Sequence, residues 1–186
     1  GAGRLTTPVA VGGRGVTGRA VVTALLARHH PVLAIDDYRS EFVRGWVAER
    51  GIELVFSPEL ADWPGLLEGH REVVVSPGIP DRHPVFHAAK LVGANILDES
   101  DLAAAWDRRP WCAVTGTNGK TTVVTLVALM LKYSGRMVAT AGNTEAPLVT
   151  AIDDTEAEAF VVEASAFRLS HSHCFKATPA TWLNFA

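Results

Sequence analysis

Thr115-Gly116-Thr117-Asn118-Gly119-Lys120-Thr121-Thr122 has the residue types and spacing needed to hold a nucleoside triphosphate. The apolar run 111–114 precedes it and another, 123–131, follows, so it reads as the loop between a strand and a helix. Such a loop wraps backbone N–H groups around phosphates. The helix N-terminus adds partial positive charge there, and Lys120 adds a full one. The Thr121 hydroxyl stands where a ligand of phosphate-bound Mg²⁺ is expected. The general phosphate-loop pattern asks for a small residue five positions before Gly119, where this chain has Val114, and glycine appears at Gly116 instead. The plain alternative is a strand-to-helix turn with a solvated lysine, but Lys-Thr-Thr at the helix start favours the phosphate loop.

A second constellation lies near the start. Gly13-Arg14-Gly15-Val16-Thr17-Gly18 fits the pattern G-x-G-x-x-G, and the acidic pair Asp36-Asp37 follows about 20 residues on. The glycines permit close approach of a diphosphate, and the acid accepts a hydrogen bond from a ribose or base. Ser76-Pro77-Gly78-Ile79 leaves a later strand at the same carboxyl edge, where ligands of such sheets gather. Taken alone, these residues describe an NAD-dependent oxidoreductase, which leaves the Lys120 loop unexplained. Further on, Glu163 closes the apolar run 160–162 and supplies a hard oxygen donor to pair with Thr121. Asn143 follows a glycine after another strand; it suits a hydrogen bond to a substrate carbonyl, or simply a turn. His171, His173 and Cys174 lack the fourth spaced ligand of a zinc site, so an exposed polar stretch is expected there.

These residues need elements to position them. Strands over 8–11, 31–35, 52–56, 72–75 and 94–97 alternate with helices over 18–28, 41–49 and 84–91, the pattern of a doubly wound parallel sheet. Polar Asp107-Arg108-Arg109-Pro110 reads as a linker. Beyond it come a strand over 111–115, the phosphate loop and a helix over 120–133. A strand at 136–140, a short helix at 146–152 and strands at 159–163 and 179–185 complete the pattern. The expectation is α/β throughout, with a Rossmann-like parallel sheet over 1–107 followed by an incomplete P-loop ATPase-type α/β domain over 111–186.

Bulk properties exclude several function classes. Of 186 residues, 48% are apolar and 20% charged, ordinary for a globular chain. A net charge of −3 gives no broad nucleic-acid-binding surface. Cys112 and Cys174 offer no disulfide framework. No apolar run approaches the ~18 residues of a membrane span, and no signal segment opens the chain, so a cytoplasmic location is expected. The apolar run 182–186 stops inside what reads as a strand, so we expect a larger protein of which this is one part.

Together these pieces resemble the Mur ligases, the ATP-dependent amide ligases of peptidoglycan precursor synthesis. The Thr-Gly-Thr-Asn-Gly-Lys-Thr-Thr form of the loop is specific to that family and accounts for Val114. Gly13 to Gly18, Asp36-Asp37, Ser76 to Ile79 and Glu163-Ala164-Ser165-Ala166-Phe167 look most like the members that add D-glutamate. The resemblance covers essentially the whole chain, but only the first domain and part of the second of the family's three. It implies that Gly15, Val16, Thr17, Asp36, Asp37, Ser76 and Gly78 hold the UDP moiety of UDP-N-acetylmuramoyl-L-alanine rather than NAD. It implies that Gly116, Thr117, Asn118, Gly119, Lys120, Thr121 and Thr122 hold ATP, and that Thr121 and Glu163 hold Mg²⁺. Lys120, Glu163 and Asn143 become the catalytic residues, Asn143 near the L-alanyl end. The implied reaction phosphorylates the substrate's terminal carboxylate, and the D-glutamate amine then displaces phosphate. A monomer without nucleic-acid or membrane partners is implied as well.

Two departures from the family stand out. Gly142-Asn143-Thr144-Glu145 replaces Gly-Asn-Ile-Gly, and Ser165-Ala166-Phe167-Arg168 replaces Ser-Ser-Phe-Gln, removing one hydroxyl. Asn184 matches the asparagine just upstream of the family's Asp-His-x-Asp segment. The remaining alternative is a UDP-sugar- and ATP-binding module without turnover, because other catalytic parts of the family lie beyond the residues matched.

Overall fold

The strand–helix alternation is realised as two parallel sheets in a computed structural model, which describes residues 9–12, 15–142 and 146–185. The chain divides into two compact units, Gly1–Glu99 and Ser100–Ala186. The boundary falls ahead of the polar 107–110 segment that the sequence marks as a linker.

In the first unit, β1 (Val9–Gly12), α1 (Val16–Ala27), β2 (Val32–Asp36), α2 (Glu41–Ala48), β3 (Glu53–Phe56), α3 (Trp63–Leu67), β4 (Glu72–Val75), α4 (Pro84–Val92) and β5 (Asn95–Leu97) follow in order. The strands lie in the order β3-β2-β1-β4-β5, all parallel. The chain moves outward from β1 to β3 and then returns to the other side of β1, so the switch point lies between β1 and β4. Helix α2 starts on Ser40, whose hydroxyl accepts from Val43 N at 3.4 Å, and buries Val43 and Val47 against Ala34 of β2. Pro84 suits the first turn of α4, where its missing N–H costs nothing, and Gly93 ends that helix at φ +73°. Helix α1 begins two residues earlier than the spacing suggests, and Gly18 is a buried residue within it rather than part of the loop.

The second unit holds most of α5 (Glu99–Trp106), then β6 (Trp111–Thr115), α6 (Lys120–Tyr133), β7 (Val138–Gly142), α7 (Leu148–Ala151), β8 (Ala159–Glu163), α8 (Ala166–His171) and β9 (Ala180–Trp182). Its order is β7-β8-β6-β9, all parallel, so β6 sits between the strand ending at Glu163 and the strand leading to Asn184. Val124 and Ala128 of α6 pack on Val114, Val138 and Val161, which seats the helix on the sheet. The 107–110 segment is a fixed clasp. Arg109 pairs with Asp107 at 2.6 Å and donates to the carbonyls of Ile152 (2.6 Å), Asp154 (2.6 Å) and Ala157 (2.7 Å). Its guanidinium also lies 4.6 Å from the centroid of the buried Phe160 ring. Polarity suggested a solvated connector, but these charge-assisted bonds tie down the turn that feeds β8.

Candidate functional site

The phosphate loop leaves β6 and enters α6. Gly116 holds φ +142° and Gly119, the N-cap of α6, holds φ +84°, conformations that disfavour any side chain. A Cβ on Gly116 would also meet Leu183 Cβ at 3.1 Å and Asn184 N at 3.2 Å. Lys120 is the first helical residue, and its ammonium folds back to donate to Gly116 O (2.8 Å) and Thr117 O (3.3 Å). Thr117, Asn118, Thr121 and Thr122 are exposed around it.

Register brings the acid to this loop. Val114 pairs with Glu163, and Gly142 pairs with the same residue on its other side. A Cβ on Gly142 would stand 2.9 Å from Glu163 N, so only glycine lets β7 approach β8 there. Glu163 is 4% exposed, and Thr121 Oγ1 donates to its Oε2 at 2.7 Å. A hydroxyl and a carboxylate at this separation are hard oxygen donors of the kind Mg²⁺ takes, so the residues present fit that ion. Asn143, with Thr144 and Glu145, lies outside the described residues.

Beside the loop is a cleft of about 660 Å³ whose walls include Lys120, Ser165, Leu169, Trp182, Asn184 and Phe185. The rings of Trp182 and Phe185 pack 4.3 Å apart while staying 60% and 83% exposed. Ser165 caps α8 by accepting from Arg168 N at 3.2 Å, which leaves Ala166 at the cleft where the related motif carries a second serine.

The first unit gathers its predicted residues at the carboxyl edge of its sheet. Gly15 is the N-cap of α1, with Val16 exposed and Thr17 half-buried after it, while Gly13 and Arg14 lie outside the described residues. Asp36 ends β2 and is 6% exposed. Tyr38 N donates to its Oδ1 at 3.0 Å, and its Oδ2 meets no hydrogen-bond partner among the described residues. Ser76, just past β4 and 8% exposed, has a buried hydroxyl in the same condition, with Gly78 exposed in the turn that follows. Two buried polar atoms without partners among the described residues flank the end of β1, where an open parallel sheet takes its ligands.

Asp37 is held by residues the sequence reading did not single out. His83 Nδ1 accepts from Val85 N at 3.2 Å, which leaves the proton on Nε2, and Nε2 meets Asp37 Oδ2 at 2.9 Å. The imidazole also stands edge-on to Trp63, with centroids 5.2 Å apart. Ser57, at φ +45°, donates from its backbone to Asp36 O at 2.8 Å and from its hydroxyl to Asp37 O. The His83-Pro84 helix start was the only local sign of His83, because its partner is 46 residues away in the chain.

Known proteins resemble this chain in sequence and in fold. The family model described as the Mur ligase middle domain matches residues 114–184. The chain is 38% identical over 187 aligned residues to the UDP-N-acetylmuramoylalanine–D-glutamate ligase of Desulfosudis oleivorans, covering 96% of this chain and 39% of that protein. It is 37% identical to the ligase of the same name from Thermus thermophilus, with 92% and 39% covered. The enzyme so named from Frankia casuarinae is also 37% identical, with 96% and 38% covered. The chain thus spans about two fifths of the length of these curated relatives. In fold, it matches the UDP-N-acetylmuramate:L-alanyl-gamma-D-glutamyl-meso-diaminopimelate ligase of Neisseria meningitidis at a TM-score of 0.57 and 15% identity, covering 97% of this chain and 61% of that one. A murein peptide ligase of Psychrobacter arcticus matches at 0.56 and 19%, covering 97% and 43%.

Proposed function

We propose, from the premise that this chain belongs to the Mur ligase family, that it is the UDP-substrate- and ATP-binding part of the ligase that adds D-glutamate to UDP-N-acetylmuramoyl-L-alanine. The observation that carries the reading is the meeting of Thr121 and Glu163 at 2.7 Å, next along the helix from Lys120, which lines a cleft large enough for a reacting carboxylate. In this reading the γ-phosphoryl group of ATP passes to the terminal carboxylate of the UDP-substrate, with ADP leaving, and gives an acyl phosphate whose phosphate is a good leaving group. The amine of D-glutamate then forms the amide and releases phosphate.

The chain's own residues position and neutralise. Lys120 exchanges its two loop carbonyls for phosphate oxygens and offsets the charge that spreads over the transferring group. The first-turn N–H groups of α6, which have no partner within the helix, turn toward the same phosphates. Thr121 and Glu163 would hold Mg²⁺, which when bound neutralises phosphate charge. By the family resemblance alone, Asn143 is assigned to the L-alanyl end of the substrate. In the first unit Asp36 and Ser76 use their unpartnered atoms on the nucleoside diphosphate, with Gly15, Val16, Thr17, Asp37 and Gly78 forming the rest of that cradle. We place the chain in the cytoplasm as a monomer, where its proposed substrates are made.

Two titrations of the 186-residue chain test the reading, one with MgATP and one with UDP-N-acetylmuramoyl-L-alanine. Phosphate release by the full-length protein must then depend on D-glutamate. Saturable binding of both ligands together with D-glutamate-dependent release supports the ligase. Binding without release in the full-length protein leaves only the binding module, and NAD binding in place of either ligand sinks both.

A further inference from the structure

Asn184 lies one residue beyond the strand-end contacts of β9, and its side chain makes three hydrogen bonds to the phosphate loop. Its Oδ1 accepts from Thr117 N and from Asn118 N, each at 3.1 Å, and its Nδ2 donates to Asn118 O at 3.1 Å. The backbone continues the contact: Leu183 N donates to Thr115 O at 2.9 Å, and Asn184 O accepts from Thr117 N at 3.4 Å and from Trp182 Nε1 at 2.9 Å. One amide thus grips both the N–H and the carbonyl of Asn118 and fixes the two peptide groups on either side of its Cα.

We infer that Asn184 is a positioning residue for the nucleotide: by clamping the 116–118 half of the phosphate loop, it aims the N-terminus of α6 and Lys120 at the phosphates. The inference rests on the proposed binding of ATP at this loop. A glycine-bearing loop without such a clamp has many accessible conformations, and ordering it on binding subtracts from affinity. The Asn118 carbonyl shows why the amide is a clamp rather than a stand-in for a phosphate oxygen, because a phosphate cannot donate the third bond. The strand itself does not depend on the side chain. β9 is paired to β6 in register, and Leu183 packs on the core cluster beneath α6, so truncating Asn184 leaves the strand seated.

Calorimetric titration of the 186-residue chain with MgATP, and separately with UDP-N-acetylmuramoyl-L-alanine, tests the inference in wild type, Asn184→Ala and Asn184→Asp. The alanine variant should bind MgATP about tenfold more weakly, as expected for the loss of side-chain hydrogen bonds that order a loop, with its UDP-substrate affinity unchanged. Asn184→Asp keeps the accepting oxygen but turns a second acceptor toward the Asn118 carbonyl. It should therefore bind at least as weakly at pH 7 and approach wild type, compared at the same pH, only below about pH 4, where a protonated carboxyl again offers a donor and an acceptor. In the full-length protein, KM for ATP should rise more than kcat falls. Unchanged or tighter MgATP binding by Asn184→Ala overturns the inference and makes Asn184 idle or a competitor for the loop's N–H groups. An equal loss of both ligands also overturns it, as a general folding defect. Wild type that fails to bind MgATP at all sinks instead the reading on which the inference rests.

Discussion

The two phosphate-type loops of this chain are prepared for their ligands in opposite ways. At the edge of the first sheet, Asp36 Oδ2 and Ser76 Oγ are buried with no hydrogen-bond partner among the described residues, so a ligand brings bonds the fold lacks. At the edge of the second, Lys120 is bonded to loop carbonyls, Thr121 to Glu163, and the Thr117 and Asn118 N–H groups to Asn184. A ligand there would exchange the bonds of Lys120 and Thr121 and leave those of Asn184 to hold the loop in shape. Unpaired buried atoms cost stability and return it on binding. Internally paired groups cost nothing while empty, and favour only a ligand whose charge beats a neutral partner. A charged phosphate group would do so, in keeping with the proposal that the second loop takes ATP and the first the uridine and ribose groups of the UDP-substrate.

The sharpest way to break this comparison is at Lys120. In the full-length protein, Lys120→Ala should lower phosphate release roughly 10³-fold, while UDP-substrate affinity stays within about twofold of wild type. Near-normal turnover would remove Lys120 from the proposed chemistry. Glu163→Gln should follow, with roughly 10²-fold lower turnover and a higher Mg²⁺ requirement in a magnesium titration, because the carbonyl oxygen of an amide is a weaker ligand for a hard cation. An unchanged magnesium dependence separates Glu163 from the metal. Asp36→Ala addresses the first loop and should weaken UDP-substrate binding about tenfold by calorimetry, leaving MgATP binding intact. The smallest effect concerns the clasp under β8. Burial pushes the Asp107 carboxyl up, but the hydrogen bonds and charge of Arg109 outweigh that and hold it below the ordinary aspartate range. A carboxyl depressed in the folded state stabilises above its unfolded value, near pH 4, and loses that contribution as pH falls through its folded value. The melting temperature of wild type should therefore exceed that of Asp107→Asn at pH 7 by the equivalent of about 1 kcal/mol, and the gap should shrink as pH falls below the ordinary aspartate range of about 4. A gap that persists in acid would mean that packing, not the ion pair, makes the difference.

Much of this was legible in the chain because it is local. Each glycine loop lies between its own strand and helix, and the helix stop at Gly93 and the Pro84 start are signals within a few residues of the elements they bound. The short helices α3, α5 and α8 were not legible. Trp63–Leu67 and Ala166–His171 are too brief to show a helical period, and Glu99–Trp106 carries three consecutive alanines and so no clear apolar stripe. The contacts of the polar 107–110 segment were hidden for a related reason. Residue type reports polarity, but not that one guanidinium will find three carbonyls more than 40 residues further on.

The sequence by itself determined the alternation of strands and helices, the two loops and the family they resemble, since each depends on spacing along a few residues. The tertiary structure alone decided the contacts: it brought Glu163 onto Thr121, which spacing only suggested, and it added Asn184 and His83, whose contacts the sequence reading did not foresee. Strand order set Glu163 beside Thr121 across 42 residues, Asn184 on the loop across 66 and 67, and His83 on Asp37 across 46. Strand neighbours follow from how whole sheets bury their faces, and that choice is made by the packed core rather than by any one segment.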